Sequence, residues 1–258
     1  MGGTDLHPTD RFSDRAENYA RYRPGYPAEL VEFFAAKLGL EPSQTIADIG
    51  SGTGRLAELF LRHGNTAFCV EPNEAMRAAA EERLGHYPNF RSVTGRAEAT
   101  TLSNHSVDFV TAAQAFHWFD PAEAGKEFAR ILKPGGTAAL LWNLRRDSNT
   151  ELARAYEALL QQQGRNYPAI KKSWQVEPET LATFFGHTDY AFETFYHAGD
   201  LDFTALRGRF DSASFVPRPE DDDYQEAVTK LRDMFERCQE GGTVKVEYDC
   251  RMYYGKFR

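Results

Sequence analysis

The feature of this chain that most constrains its fold is the stretch at residues 45–57, TIADIGSGTGRLA. An apolar strand pattern with an acid inside it, Asp48, is followed by three alternate glycines and then by a helical pattern. A strand that ends in small residues and opens a helix lets a ligand lie against bare backbone, because the N–H groups of the helix N-terminus are directed at it. The stretch therefore predicts a site for a nucleotide-type cofactor.

The spacing of the glycines distinguishes between cofactors. The dinucleotide fingerprint G-x-G-x-x-G/A requires Gly or Ala where this chain has Arg55, since the helix packs closely on the strand there. The run is instead G-x-G-x-G, and it resembles motif I of the class I methyltransferases that depend on S-adenosylmethionine (SAM). The resemblance implies that the stretch holds the amino acid end of SAM. The residues concerned are Asp48, Gly50, Ser51, Gly52 and Gly54.

A second acid, Glu71, follows a predicted strand at residues 66–70. It lies about 20 residues beyond the glycines, where an acid can accept hydrogen bonds from both ribose hydroxyls in NAD enzymes as well. The run from Glu71 and Pro72 to Met76 also resembles the second motif of the methyltransferases, in which the methionine packs near adenine. Met76 is equally suited to packing in the core of the predicted helix at 73–84.

The adenine end is expected after a predicted strand at residues 90–94, which continues as Gly95-Arg96-Ala97-Glu98. In the family that the chain resembles, the backbone N–H at the alanine meets an adenine ring nitrogen, and a neighbouring acid accepts from the exocyclic amine. Many members place that acid before the alanine, where this chain has Arg96. Glu98 is therefore the candidate partner of the amine, and a solvated surface acid is the alternative.

The acceptor side is expected after a predicted strand at residues 106–113, where the chain reads Q-A-F-H-W-F-D. Ligands lie at the carboxyl ends of strands in open α/β sheets, so this segment should border the transferred methyl group. Gln114 is assigned to the cofactor site. His117 is the candidate catalytic residue, because a histidine with an ordinary pKa of about 6.5 can orient or deprotonate an acceptor. The alternative is that His117 holds the loop through a backbone carbonyl.

The N-terminal segment carries a second resemblance, at Phe12, Ala16, Tyr19, Arg23, Pro24, Tyr26 and Pro27. These residues resemble the lid of one subfamily, the methyltransferase type 11 group that includes the trans-aconitate and juvenile-hormone-acid enzymes. The resemblance implies that Tyr19 and Arg23 close over the methionine end of SAM, and Tyr19 is also a catalytic candidate. Arg23 has the planar donors that a buried carboxylate needs. The alternative is that the tyrosines only cover apolar surface.

The order of strand and helix patterns predicts an α/β fold. We expect a Rossmann-like class I methyltransferase sheet of seven strands, mostly parallel with the last antiparallel, with helices on both faces and a helical cap. A turn at residues 132–136, L-K-P-G-G, precedes the fifth strand at 137–142. The predicted domain division is a flexible N-terminus at 1–10 and a single domain at 11–258. Within that domain, 11–40 would form the lid and 149–185 a cap insertion.

The later part of the chain is predicted in less detail. Helices are expected at residues 151–163, 178–185, 202–209 and 220–239, and strands at 192–196 and 243–254. The stretch at 166–177 is expected to be irregular. Asn143, Arg145 and Arg146 sit at the end of the fifth strand, and they could reach a substrate or lie in solvent.

Composition and charge narrow the function classes. The chain has 258 residues and a formal net charge of −8. It has no long basic tract and no apolar run near the roughly 18 residues that span a bilayer, so no nucleic-acid or membrane partner is expected. The histidines lack ligand spacing, so no metal site is predicted. The three cysteines are expected to be reduced thiols and the start lacks a secretory signal, which indicates a cytoplasmic protein.

These observations together predict a SAM-dependent methyltransferase with a small-molecule acceptor, as a monomer or homodimer. The named subfamily implies a carboxylate acceptor, which needs no base because it is ionised near pH 7. A regulator that binds SAM without catalysis is one alternative. An NAD-dependent oxidoreductase is another, against which Arg55 argues.

Overall fold

The computed structural model describes residues 22–146 and 150–257. The predictions for Phe12, Ala16 and Tyr19, and for a flexible start at 1–10, lie outside the described residues. No helix within those two described ranges is long and apolar enough to cross a bilayer.

A seven-stranded sheet organises the molecule, in the order β3-β2-β1-β4-β5-β7-β6. Strand β7 runs antiparallel to both of its neighbours, and the other pairs are parallel. The predicted Rossmann-like sheet with an antiparallel last strand is confirmed. The strands are β1 Thr45–Ile49, β2 Thr66–Val70, β3 Phe90–Val93, β4 Val107–Ala113, β5 Leu132–Arg145, β6 Ala191–Leu201 and β7 Val244–Gly255.

The strand order reverses between β1 and β4. The chain first builds outward from β1 to β3 and then returns to build on the other side from β4. Ligands of open α/β sheets bind outside the carboxyl ends of the strands at such a switch point. A ligand is therefore expected beside the loops that follow β1 and β4.

The helices within the described ranges mostly begin and end where the sequence predicts. Asn73 caps the helix after β2 by accepting a hydrogen bond from the Met76 N–H at 2.9 Å, and Asp120 caps the helix after β4 in the same way. The helices are α1 Glu29–Leu38, α2 Arg55–His63, α3 Glu74–Leu84, α4 Pro121–Ile131, α5 Glu151–Gln163, α6 Tyr167–Ser173, α7 Pro178–Phe185, α8 Phe203–Asp211 and α9 Tyr224–Cys238. A short 3₁₀ turn covers Phe116–Trp118.

Four predictions of secondary structure differ from the structure. The stretch at 166–177 is not irregular, because it contains α6. Strand β5 begins at Leu132, opposite Val107, and the predicted turn forms a bulge within it. Strand β6 extends beyond 192–196 because it pairs with β7 at every position from 191 to 201. Helix α9 is shorter than 220–239, beginning only at Tyr224.

Apolar side chains form packed layers on both faces of the sheet and a separate helical cluster. One face packs against α4 and α7, around Phe128 and Phe184. The other packs against α1 and α2, around Phe34 and Phe60. The helical cluster joins α5, α6, α8 and α9 to the first half of β7.

The helical cluster stands beyond the carboxyl end of β5. Tyr248 of β7 pairs with Arg145, the last residue of β5. The earlier residues of β7, which pack in this cluster, therefore extend past that strand end. Of the segment predicted as a cap, α5 and α6 lie in this cluster while α7 packs on the sheet. The division into lid, domain and cap stays a prediction.

Candidate cofactor and acceptor site

A cavity of about 1430 Å³ opens at the carboxyl ends of β1, β2, β4 and β5 and extends under the helical cluster. It exceeds the volume of typical small-ligand pockets, so it has room for two reactants. Most of the predicted site residues meet in its wall. Those that line it are Arg23, Asp48, Gly50, Ser51, Gly52, Glu71, Pro72, Met76, Ala97, Glu98, Gln114 and His117.

The three glycines of the loop after β1 have different physical roles. All have positive φ, at +66° for Gly50, +55° for Gly52 and +74° for Gly54, a region that favours glycine. A Cβ at Gly50 would lie 2.7 Å from the Ala115 Cβ, and one at Gly54 would overlap the Leu84 side chain. A Cβ at Gly52 would meet no protein atom within 4 Å, because it would enter the cavity. Gly54 does not line the cavity and instead permits α2 to approach α3.

Asp48 lies at the floor of the cavity and is 1% exposed. Burial raises its pKa to about 7, a hydrogen bond from the Thr111 hydroxyl opposes this rise, and the charge of Glu71 adds to it. The Thr111 Oγ1 lies 2.9 Å from the Asp48 Oδ1. Near neutral pH the carboxyl is therefore partly protonated, and a cation in the cavity would favour its ionised form.

Glu71 is held with both carboxylate oxygens oriented. Its Oε2 accepts from the Gly52 N–H at 2.9 Å and its Oε1 accepts from the Asn73 N–H at 2.9 Å. Burial raises the pKa of this carboxyl, and the two backbone donors oppose the rise. Each oxygen retains capacity for a further donor, so the side chain is placed to accept from a pair of hydroxyls in the cavity.

The wall predicted for adenine combines buried apolar atoms with an oriented acid. Met76 and Ala97 are buried and line the cavity. Glu98 accepts from the Asp120 N–H at 2.9 Å, and its other oxygen lies 3.8 Å from the Arg96 Nε. Glu98 thus connects this loop to the start of α4, and its predicted contact with an adenine amine stays a prediction.

Gln114 and His117 form the part of the wall that follows β4. Gln114 has a φ of +55°, and its Nε2 donates to the Asn143 carbonyl at 2.9 Å. Burial lowers the pKa of His117 to about 4, so its imidazole is neutral at physiological pH. Its Nδ1 is buried and has no hydrogen-bond partner among the residues that the structure describes. His117 is a weak base with one ring nitrogen still available for a hydrogen bond.

The far side of the cavity is formed by residues that the sequence analysis did not assign. Tyr156 of α5, Lys171 of α6, Arg209 of α8 and Tyr248 of β7 line it together with Arg145. Helical and strand periodicity predicts which residues face inward, but these residues are spread from position 145 to position 248 and no local signal indicates that they share a wall. Arg145 was noted at the end of a strand, and the structure places it in this wall.

A shared carboxylate organises part of this wall. Glu157 accepts from Arg145 at 2.7 Å, from the Lys171 Nζ at 2.8 Å and from the Tyr167 hydroxyl at 2.8 Å. Burial raises the pKa of Glu157, but the hydrogen bonds and charges of these partners outweigh it and lower the pKa overall. The pairing also fixes α6, which explains why a seven-residue segment without helical periodicity is helical here.

The start of the described chain is attached to helix α8. The Arg209 Nε donates to the Tyr22 carbonyl at 3.0 Å, and an Arg23 guanidinium nitrogen donates to the Ser212 carbonyl at 3.2 Å. A Cβ at Gly208 would overlap the Tyr22 ring, so the two segments approach as closely as a glycine permits. Arg23, predicted as a cofactor ligand, therefore reaches the cavity while joined to α8.

Three features of the cavity fit SAM. A bare glycine at 52 faces the cavity, a buried carboxylate at 71 is oriented for hydroxyl donors, and Asp48 offers a counter-charge for a cation. In addition, the Thr53 hydroxyl is buried without a hydrogen-bond partner among the described residues. An adenosyl compound with a cationic amino acid end matches this donor and acceptor set. No three metal-binding side chains converge within the described ranges.

Comparison with known proteins identifies the central part of the chain. Residues 47–140 match a protein-family model described as a methyltransferase domain. An uncharacterized methyltransferase of Mycobacterium tuberculosis is 36% identical over 134 residues, which cover 52% of this chain and 52% of that protein. The chain thus spans about half the length of the curated relatives that it matches.

Two solved structures share the fold over most of the chain. A protein assigned as a type II methyltransferase from Anaeromyxobacter dehalogenans has a TM-score of 0.65 at 22% identity, and the match covers 91% of this chain and 98% of that one. The geranyl diphosphate C-methyltransferase of Streptomyces coelicolor has a TM-score of 0.50 at 12% identity, covering 90% and 76%. That structure contains Mg²⁺, geranyl diphosphate and S-adenosylhomocysteine. Residues 47–140 are therefore similar to a methyltransferase domain, and the chain shares its fold with these two structures.

Proposed function

We propose that this protein is a SAM-dependent methyltransferase that transfers a methyl group to a small-molecule carboxylate. The observation that carries the proposal is the division of charge in one cavity. Its glycine-loop end holds the buried acids Asp48 and Glu71. Its far end holds Arg209, which forms no ion pair with a described carboxylate, beside Arg145 and Lys171, which share Glu157. A cationic cofactor suits the first end and an anionic acceptor suits the second.

The binding roles follow from position in the cavity. When bound, SAM supplies a methyl group on a positively charged sulfur, already activated for displacement. The backbone of residues 50–54 and Asp48 would hold its amino acid end, and Arg23 would pair with its carboxylate. Glu71 would accept from the ribose hydroxyls, and Met76 with Ala97 would enclose adenine.

The residues at the acceptor end position a nucleophile and exclude water. A carboxylate is ionised at neutral pH, so no residue has to remove a proton from it. This agrees with the low pKa of His117, whose neutral ring could orient the acceptor through a hydrogen bond. Gln114 and Asn143 close the wall of the cavity at the ends of β4 and β5, where the Gln114 amide donates a hydrogen bond to the Asn143 carbonyl. Alignment at close range supplies most of what a displacement of this kind needs.

Binding and turnover test the proposal separately. The protein is first titrated with SAM and with NAD in a thermal-shift assay, since a ligand that binds only the native state raises its melting temperature. We expect a shift with SAM and none with NAD. Turnover is then measured as release of S-adenosylhomocysteine with a panel of carboxylic acids, their amides, phenols and amines.

The possible results distinguish the functions. Turnover with acids and not with their amides supports the proposal. Turnover confined to phenols or amines keeps a methyltransferase but rejects the carboxylate acceptor. SAM binding with no turnover across the panel would instead indicate a SAM-binding regulator, and a shift with NAD alone would indicate an oxidoreductase.

A further inference from the structure

Arg209 occupies an unusual position for a cation. Its side chain is half-buried and lines the cavity. Its Nε donates to the Tyr22 carbonyl, its Nη1 donates to the Tyr248 hydroxyl, and its guanidinium lies 5.2 Å from the centre of the Tyr248 ring. No carboxylate of residues 22–146 or 150–257 forms an ion pair with it. The Nη2 nitrogen of the guanidinium therefore still has N–H groups that can donate to a ligand.

Three other cations of this wall differ in that respect. Arg145 and Lys171 share Glu157, at 2.7 and 2.8 Å. Arg146 lies 3.6 Å from Asp249. Removing a charge from water costs free energy unless an opposite charge compensates for it. Arg209 has only neutral partners in the described part of the wall, so an anion in the cavity would compensate for its charge.

A second observation points to the same place. Tyr156 is buried beside Arg145, whose guanidinium lies 4.6 Å from the centre of its ring. Burial raises the pKa of the Tyr156 hydroxyl, while the charges of Arg145, Arg209 and Arg23 oppose the rise. The charge of Arg209 therefore acts on Tyr156 together with that of Arg145, which Glu157 already compensates. An anion beside Tyr156 would compensate for Arg209.

The location of Arg209 separates it from the reacting end. Gln114 follows β4, whereas Tyr248 lies on β7, two strands away in the sheet. Two strand spacings amount to about 10 Å. The wall between them is continuous, because Gln114 bonds to Asn143, Asn143 bonds to His197 at 2.6 Å, and His197 stacks on Tyr248. An acceptor that spans this wall can contact both ends.

We propose that Arg209, with the hydroxyls of Tyr156 and Tyr248, is an anchor for a carboxylate on the acceptor that is separate from the group receiving the methyl. This rests on the proposed function and deepens it. A guanidinium fork binds a carboxylate through two parallel hydrogen bonds. If the guanidinium bound the carboxylate that receives the methyl group, its hydrogen bonds would occupy the oxygen lone pairs that attack the methyl carbon. An anchor on a separate carboxylate leaves those lone pairs free.

The anchor is tested by binding and does not require turnover. Benzoate, 3-phenylpropionate and adipate are titrated calorimetrically against the full-length protein, with and without S-adenosylhomocysteine, and each is compared with its amide. We expect at least one acid to bind at least 10-fold more tightly than its amide. The variant Arg209→Gln should reduce that preference by about 10- to 100-fold, as expected for a charge-assisted hydrogen-bonded pair.

Further variants separate charge from structure. Arg209→Lys keeps the charge and should retain part of the preference, while Tyr156→Phe should reduce it several-fold without removing volume. Lys37→Gln removes an exposed cation from the last turn of α1 and is the control for net charge. A cooperative thermal transition of the Arg209→Gln variant, with a melting temperature close to that of the wild type, shows that the fold is intact.

Kinetics provide the second readout. With a methylated acid that carries two carboxylates, such as adipate, Arg209→Gln should raise KM by 10-fold or more and change kcat by less than threefold, because the anchor does not touch the reacting atoms. Equal binding of acids and amides by the wild type would reject the anchor. An unchanged preference in Arg209→Gln would do the same. Absence of SAM binding or of all turnover would reject the proposed function, while the calorimetric comparison would still decide the anchor.

Discussion

The two ends of the cavity are built in different ways. The cofactor end is made by one continuous region, residues 48–98, in which backbone groups and two buried acids follow the ends of adjacent strands. The acceptor end is made by side chains from α5, α6, α8 and β7, which are distant in sequence. The first end is rigid because the sheet fixes it, whereas the second depends on the packing of helices. This difference indicates where cofactor identity is fixed and where acceptor specificity can vary.

The largest expected effect is at the cofactor end. Replacing Glu71 with Ala removes the proposed acceptor of two charge-assisted hydrogen bonds from the ribose, each worth about 1.5–3 kcal/mol. SAM affinity measured by calorimetry should fall by at least 100-fold. Glu82→Ala, on an exposed position of α3, is the matched control and should leave SAM affinity unchanged. Similar affinities for the two variants would contradict the role of Glu71.

The charge of Asp48 should connect stability and cofactor binding to pH. Its folded pKa of about 7 lies above its ordinary value of 3.8, so the protonated form favours folding. That contribution is complete below about pH 4 and is lost as pH rises through 7, which lowers the free energy of unfolding by a few kcal/mol, at most about 4. Chemical denaturation between pH 4 and 8 measures this loss. Asp48→Asn should show a flatter profile over the same range.

The same carboxyl should act oppositely on SAM binding. A cationic ligand favours ionised Asp48, so SAM affinity of the wild type should rise with pH up to about 7. Asp48→Asn should bind SAM more weakly and without this rise. A wild-type affinity that falls over that pH range would contradict the assignment.

Gly52 tests the cofactor end with a smaller change. Gly52→Ala places a Cβ in the cavity against the expected ligand and should reduce SAM affinity by about 10- to 100-fold, in line with overpacking costs of about 1–3 kcal/mol. Gly186→Ala is the matched control, since Gly186 also has positive φ and open space around it but does not line the cavity. Both variants should lose similar stability in denaturant titrations. Only Gly52→Ala should lose SAM affinity.

The smallest expected effect compares two helix caps, one at each end of the cavity. Asn73 caps α3 and Thr150 caps α5, each by accepting from a backbone N–H of the first turn. Replacing either with Ala should cost about 1 kcal/mol, or roughly 2–4 °C in melting temperature. Asn73→Ala should also weaken SAM binding a few-fold, because loss of the cap loosens the start of α3, where the backbone N–H of residue 73 orients Glu71. Thr150→Ala should leave SAM binding unchanged, and the reverse pattern would contradict the division of the cavity.

The sequence predicts the cofactor end of the cavity better than the acceptor end. Strand β2 and helices α5 and α7 have the predicted bounds, and the strand-loop-helix stretch at 45–57 takes the predicted form. Those predictions rest on local periodicity, capping residues and glycines, which act over a few residues. The predicted site residues that the structure describes, apart from Gly54, line one cavity, although their individual roles stay predictions.

The acceptor end could not be predicted in the same way. Helix α6 was missed because Glu157, on another helix, fixes Tyr167 and Lys171. Arg209 lies in a segment whose sequence predicts only a helix, and its position in the wall results from tertiary packing between α8, β7 and the start of the described chain. Side chains brought together from distant elements leave no local signal. Such a wall becomes visible only in three dimensions.

The attachment of Tyr22 and Arg23 to α8 has a kinetic consequence. The segment that reaches the predicted carboxylate of SAM and the helix that carries Arg209 are joined by hydrogen bonds and by close packing at Gly208. Neither segment can move far without displacing the other. Binding of SAM beside Arg23 should therefore change the affinity for an acceptor beside Arg209, and the reverse. Steady-state kinetics should accordingly show that the KM for the acid changes as SAM approaches saturation, and a constant KM would contradict the coupling.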